Sequence, residues 1–139
     1  MCWFIHGAVQ GTADKNRRDR LKNELDLLNG RHNCHIAPGT KHDLKMALLS
    51  ESPDYRVTKG CCDCDSAVGL HDPDAIEVRD FAALIAEVCA LPDVKGISFC
   101  KTWIGERNKR EIDVNLSETD LPRLLADLEP NTLYNIKSV

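Results

Sequence analysis

The residues with the densest chemical potential are Gly60-Cys61-Cys62-Asp63-Cys64-Asp65-Ser66, which place three of the chain's seven cysteines within four positions. A tetrahedral zinc ion takes four soft or borderline donors, and chelating donors close together in sequence lower the cost of assembling the set. Cys62 and Cys64 form such a pair, with Cys61 as an alternate, and His32-Asn33-Cys34-His35 offers up to three more donors. A zinc centre with Cys62 and Cys64 as core ligands, completed by Cys61, Cys34, His35 or His32, is therefore the first functional expectation. The spacing is not the repeated Cys-x₂-Cys of a zinc ribbon or finger. An iron–sulfur cluster ranks below zinc, because it asks for about four cysteines and the ferredoxin spacings are absent. His42 and His71 are isolated, and each reads alone as a surface or hydrogen-bonded side chain.

The flanking Asp63 and Asp65 disfavour a free thiolate by like-charge repulsion and suit the outer shell of a metal centre. Thiol chemistry is the alternative, as a thiol-dependent enzyme or redox sensor. Adjacent Cys61 and Cys62 can form a strained and labile disulfide, with Cys64 as a resolving thiol. A third reading is a structural or interaction domain with incidental cysteines, since free cysteine packs well as a small hydrophobe. Cys2, on an apolar strand, and Cys89, on an apolar helical stripe, fit that role.

Composition narrows the field. A formal charge of −4 gives no general attraction for a phosphate backbone, and the runs Lys15–Arg20 and Arg107–Arg110 read as solvated surfaces, so nucleic acid is not an expected partner. Met1–His6 is too short an apolar run to span a membrane or act as a leader, which implies a cytoplasmic protein. In that compartment an odd count of seven cysteines argues against a disulfide framework. There is no Gly-rich phosphate loop, no Gly-x-Ser-x-Gly and no His-Glu-x-x-His, so no hydrolase, kinase or nucleotide chemistry is assigned.

The elements that must position the cysteines follow from periodicity. Cys2–Val9 reads as a buried strand with Cys2, Phe4, His6 and Ala8 on one face. Leu21, Leu25 and Leu28 predict an amphipathic helix over 14–29, opened by Thr12 or Asp14 and stopped by Gly30. A strand is expected over 31–37, with His32 and Cys34 on one face and His35 on the other, then a short helix beginning near Thr40 and ending before Ser52-Pro53. Tyr55–Thr58 is a brief strand leading into an irregular loop over 60–69. A helix enters near Asp72-Pro73 with Val78, Phe81, Ala82, Leu84, Ile85, Val88 and Cys89 as its apolar stripe.

Gly96–Ile104 and Glu111–Leu116 then read as a hairpin. Its core side carries Ile97, Phe99, Trp103, Ile112, Val114 and Leu116. Its other face sets Ser98, Cys100 and Thr102 opposite Glu111, Asp113 and Asn115, and is expected to be wet, with Cys100 as a nucleophile or added ligand only if that face lines a pocket. A helix capped by Ser117 with Asp120 and a terminal strand from Thr132 complete the chain.

The expected fold is α+β, a single domain over 1–139 with a mixed sheet. Residues 1–53 form a βαβα extension, and 54–139 follow the βαββαβ order of a ferredoxin-like unit. The exposed sheet would allow a homo-oligomer; a small-molecule ligand is not specified by any motif.

Overall fold

The computed structural model describes residues 3–11, 14–38, 55–58, 63–103, 106 and 108–137. Strand β1 (Trp3–Gly11) is followed by helix α1 (Lys15–Leu28), a 3₁₀ turn (Arg31–Asn33), β2 (His35–Pro38) and β3 (Tyr55–Thr58). Helix α2 (Ile76–Cys89), β4 (Val94–Trp103), β5 (Arg110–Asn115), a second 3₁₀ turn (Leu116–Glu118), α3 (Leu121–Ala126) and β6 (Thr132–Lys137) complete the order. The expected helix after Thr40 lies outside the described residues.

The ends of α1 are as the sequence implies, whereas α2 starts at Ile76 rather than at Asp72-Pro73, with no side-chain cap, and Ser117 belongs to a 3₁₀ turn that leaves Asp120 alone to cap α3. Asp14 caps α1 by accepting from Asn16 N at 2.9 Å. Gly30, at φ 84°, takes the left-handed conformation that ends the helix, and Asn29 Oδ1 accepts from Ile36 N at 2.9 Å to tie the exit to β2. His32, at φ 54°, keeps 31–33 out of the extended conformation, so the strand expected from Arg31 starts only at His35. Asp120 caps α3 through Arg123 N, and the stripe expected for α2 is buried throughout.

The strands form one mixed sheet in the order β2-β3-β1-β4-β6-β5. All neighbours are antiparallel except β5 and β6, which run parallel. Following the directions, β1 and β2 run parallel with β3 between them, and β3 and β4 run parallel with β1 between them, so α1 and α2 are crossover connections of split βαβ units. The chain from β5 through α3 to β6 is a βαβ unit whose parallel strands are adjacent.

The fold is therefore α+β with a mixed sheet, as expected, while the ladders do not confirm the ferredoxin-like arrangement of the C-terminal part. The expected β4–β5 hairpin is replaced by β6 lying between them. An α-helical crossover makes β5 and β6 parallel, and only then can β6 pair antiparallel with β4 over Gly96–Phe99.

Residues directly opposite in a ladder share a face. One face presents Ile5, Val9, Ile36, Val57, Ile97, Phe99, Val114, Tyr134 and Ile136, which join Leu21 and Leu25 of α1, the α2 stripe and Leu125 of α3 in one core. Phe99 stands over Gly7 in the ladder, meets Phe81 edge-on at a centroid distance of 5.9 Å and stacks on Tyr134 at 5.8 Å. The far face is wet along β5, where Glu111, Asp113 and Asn115 are exposed as expected, but not at its centre: Ser98, Cys100 and Thr102, with Ala8 and Leu133, are buried. Its polar groups are partnered across strands. Ser98 Oγ bonds Asn135 Oδ1 at 2.6 Å, and Asn135 Nδ2 reaches Asp113 Oδ1 at 3.3 Å.

Candidate functional site

Cys61 and Cys62 lie outside the described residues, so the site is built from what flanks them. On one side, Thr58 ends β3 in register with His6 of β1. On the other, Asp63 N donates to Trp3 O at 2.9 Å, and Ile5 N donates to Asp63 Oδ2 at 2.8 Å. Both flanks are therefore fastened to the first half of β1. Asp63 is buried and acts as a backbone clamp, a use of this carboxylate that its position between cysteines does not suggest. Cys64 follows it and is exposed.

The other expected ligands are distributed over different layers. Cys34 is fully buried in the core, where its Sγ donates to His32 O at 3.5 Å. His32 faces α2, with Nε2 3.3 Å from Glu87 Oε1 and Nδ1 4.0 Å from Asp80 Oδ1. His35 is exposed on β2 and directly opposite Thr58, on the far face of the sheet. The structure thus brings His35 to the strand that leads into the cysteines and sets His32 and Cys34 in the helix layer. Among the described residues, no group of three or more His, Cys, Asp or Glu side chains is placed to hold a metal ion.

Cys100 sits opposite His6 in the β1–β4 ladder and is fully buried. Burial pushes its thiol up from 9.0 to about 12, against hydrogen bonds with Asn108 and Thr102 that pull it down. It is therefore a neutral thiol at physiological pH, and a nucleophilic role does not suit it.

Sequence reasoning passed over Lys101. It occupies a core-phase position of β4, between Phe99 and Trp103, and is only 9% exposed. Its Nζ donates to Val68 O at 2.8 Å. Burial lowers its pKa from the ordinary 10.5, opposed by the negative charges of Asp63, Glu77 and Cys64. Glu77 in turn accepts from Ser66 Oγ and from Ala67 N at 2.9 Å. The loop after the cysteines is thus anchored from two sides: Lys101 holds it from the sheet and Glu77 from α2. A charged residue in the apolar phase of a strand was the available signal.

His71 adds a further contact between this loop and the end of α3, through Asp127 Oδ1 at 2.9 Å from Nδ1 and through its own N–H to Ala126 O at 2.8 Å. Among the described residues, no helix is long and apolar enough to cross a membrane. Compared with known proteins, the chain matches no family profile, no curated protein and no solved structure.

Proposed function

We propose that this is a small cytosolic metal-binding protein whose centre, zinc first and an iron–sulfur cluster second, is built on the Cys61–Cys64 loop. Cys62 and Cys64 are the core ligands; of the residues expected to complete the shell, Cys61 adjoins them in sequence and His35 stands on the strand beside β3, whereas Cys34 and His32 are held in the helix layer. The observation that supports this reading most is the clamping of both flanks of the loop to β1, by Thr58 in register with His6 and by Asp63 on Trp3 and Ile5. A short cysteine-bearing segment with fixed ends loses little conformational entropy when it closes on an ion. Exposure of Cys64 leaves its sulfur reachable from solvent.

The test is metal content and the visible spectrum of tag-free protein purified without oxygen or chelator, for the wild type and for Cys62→Ser with Cys64→Ser. The expected result is about one colourless zinc per chain, lost in the double variant. Full occupancy in the double variant would overturn the assignment. Exposure of Cys64 also favours the second reading, a reactive thiol. Metal-free protein in which Cys64 alkylates faster than free cysteine would move the assignment there.

A further inference from the structure

Arg110-Glu111-Ile112-Asp113-Val114-Asn115 alternates as a strand with two unlike faces, and its place in the sheet makes it an edge. β5 is last in the order β2-β3-β1-β4-β6-β5, and among the described residues its only ladder is the parallel one with β6. An edge strand presents a row of backbone N–H and C=O groups to whatever chain comes alongside. On the far face Glu111, Asp113 and Asn115 are exposed. Neither carboxylate meets a cation across the ladder: Glu111 stands opposite Leu133, and Asp113 stands opposite Asn135, whose amide reaches Oδ1 at 3.3 Å. On the helix face Arg110 is already answered by Glu129. Beyond it, Ile112 lies beside Tyr134 and Val114 beside Ile136, both in the core, yet Ile112 itself stays half-buried, with no strand on its outer side among the described residues.

The geometry points to β5 as a docking edge for an extended peptide in which basic and apolar residues alternate. Directly opposed residues share a face, so such a strand sets its basic side chains against Glu111 and Asp113 and its apolar ones against Ile112 and Val114. Backbone pairing supplies the affinity, and the two rows supply the selection. A second copy of the chain fits poorly. An antiparallel pair of β5 strands centred anywhere from 111 to 113 sets Glu111 against Asp113, or one of them against its own counterpart, and like charges directly opposite are destabilising. The other edge strand, β2, has only four residues and includes Pro38, which has no N–H to offer. Nucleic acid is repelled by the same acidic row. Charges on an edge keep like strands from pairing. On β5 they leave the edge open to a strand of opposite sign.

The test is an NMR titration of the ¹⁵N-labelled full chain, at low salt, with a capped hexapeptide of alternating lysine and valine. Saturable binding is expected, with shifts and slowed amide exchange concentrated on residues 110–115. A glutamate-valine hexapeptide is expected not to bind. The lysine-valine peptide N-methylated at every residue keeps its charges but loses its backbone donors, and is expected to bind far more weakly. Glu111→Lys with Asp113→Lys changes two exposed side chains; it should weaken the lysine-valine peptide by about tenfold or more and gain binding of the glutamate-valine one, which an unfolded variant could not do. Equal affinity of the N-methylated peptide would reduce the effect to charge attraction and overturn strand addition. Protection confined to another surface, or no binding of the lysine-valine peptide at all, would overturn β5 as the docking edge.

Discussion

Cys100 and Lys101 are consecutive on β4 and point to opposite sides of the sheet, so they sample the two faces at one depth. Both are buried, and both have pKa values moved by burial, yet the outcomes differ. On the helix side burial works against the Lys101 charge, while a loop carbonyl, Val68 O, accepts from its Nζ and the carboxylates of Asp63 and Glu77 favour the charged form. On the far side the polar groups are uncharged and answer one another, as in Ser98 with Asn135 and Cys100 with Thr102 and Asn108. Burial alone therefore does not distinguish the two faces. What distinguishes them is whether the neighbours stabilise an ion or a neutral group.

The largest effect should come from removing the apolar anchor of the helix side. Phe99→Ala strips the ring that bridges Phe81 and Tyr134, and is expected to cost about 3–5 kcal/mol in urea unfolding. A loss near 1 kcal/mol would show that the aromatic cluster does not organise that face. Next, Lys101→Met keeps the apolar stem and deletes the donor to Val68 O, at an expected cost of about 1–3 kcal/mol. An unchanged midpoint would mean that this ammonium contributes nothing to holding the loop.

The effect that is smallest over any one pH unit has the sharpest signature, because the two residues carry opposite linkage. Lys101 is harder to protonate in the folded chain than in the unfolded one. Its contribution to stability therefore rises as pH climbs through the lowered folded value toward 10.5. Cys100 ionises from 9.0 in the unfolded chain but only near 12 when folded, so its contribution falls as pH rises from 9.0 toward 12. Each slope is at most about 1.4 kcal/mol per pH unit. Unfolding free energies measured across the alkaline range should lose the fall in Cys100→Ala and lose the rise in Lys101→Met; parallel curves for all three proteins would contradict both assignments.

The parts of this fold written in local periodicity were readable in advance. The Leu21, Leu25, Leu28 stripe and the α2 stripe each specify a helix and its buried face without reference to anything distant. The caps at Asp14 and Asp120 and the stop at Gly30 are equally local. Strand partnership is not. Nothing within residues 96–116 says that β6 will separate β4 from β5, because that depends on the crossover through α3. The same gap hid the clamp on the cysteine loop: that Thr58 and Asp63 both meet the first half of β1 follows only from strand pairing. Ser98, Cys100 and Thr102 look like a wet face by polarity, and only their partners explain their burial. His32 departed from its expected strand because a left-handed residue after Gly30 carries no apolar signal.

The exit of α1 has a consequence for the chemical lifetime of the chain. Asn29-Gly30 is the dipeptide in which an asparagine amide most readily closes to a succinimide and opens to isoaspartate, because the following backbone nitrogen is unhindered. Here that nitrogen is held by Cys34 O at 2.9 Å, while the Asn29 side chain is held by Ile36 N. The attacking and attacked groups are both occupied for as long as β2 stays seated. Isoaspartate at position 29 would accumulate only during openings of this corner, so its slow appearance in stored protein would act as a clock of local unfolding at the edge of the sheet.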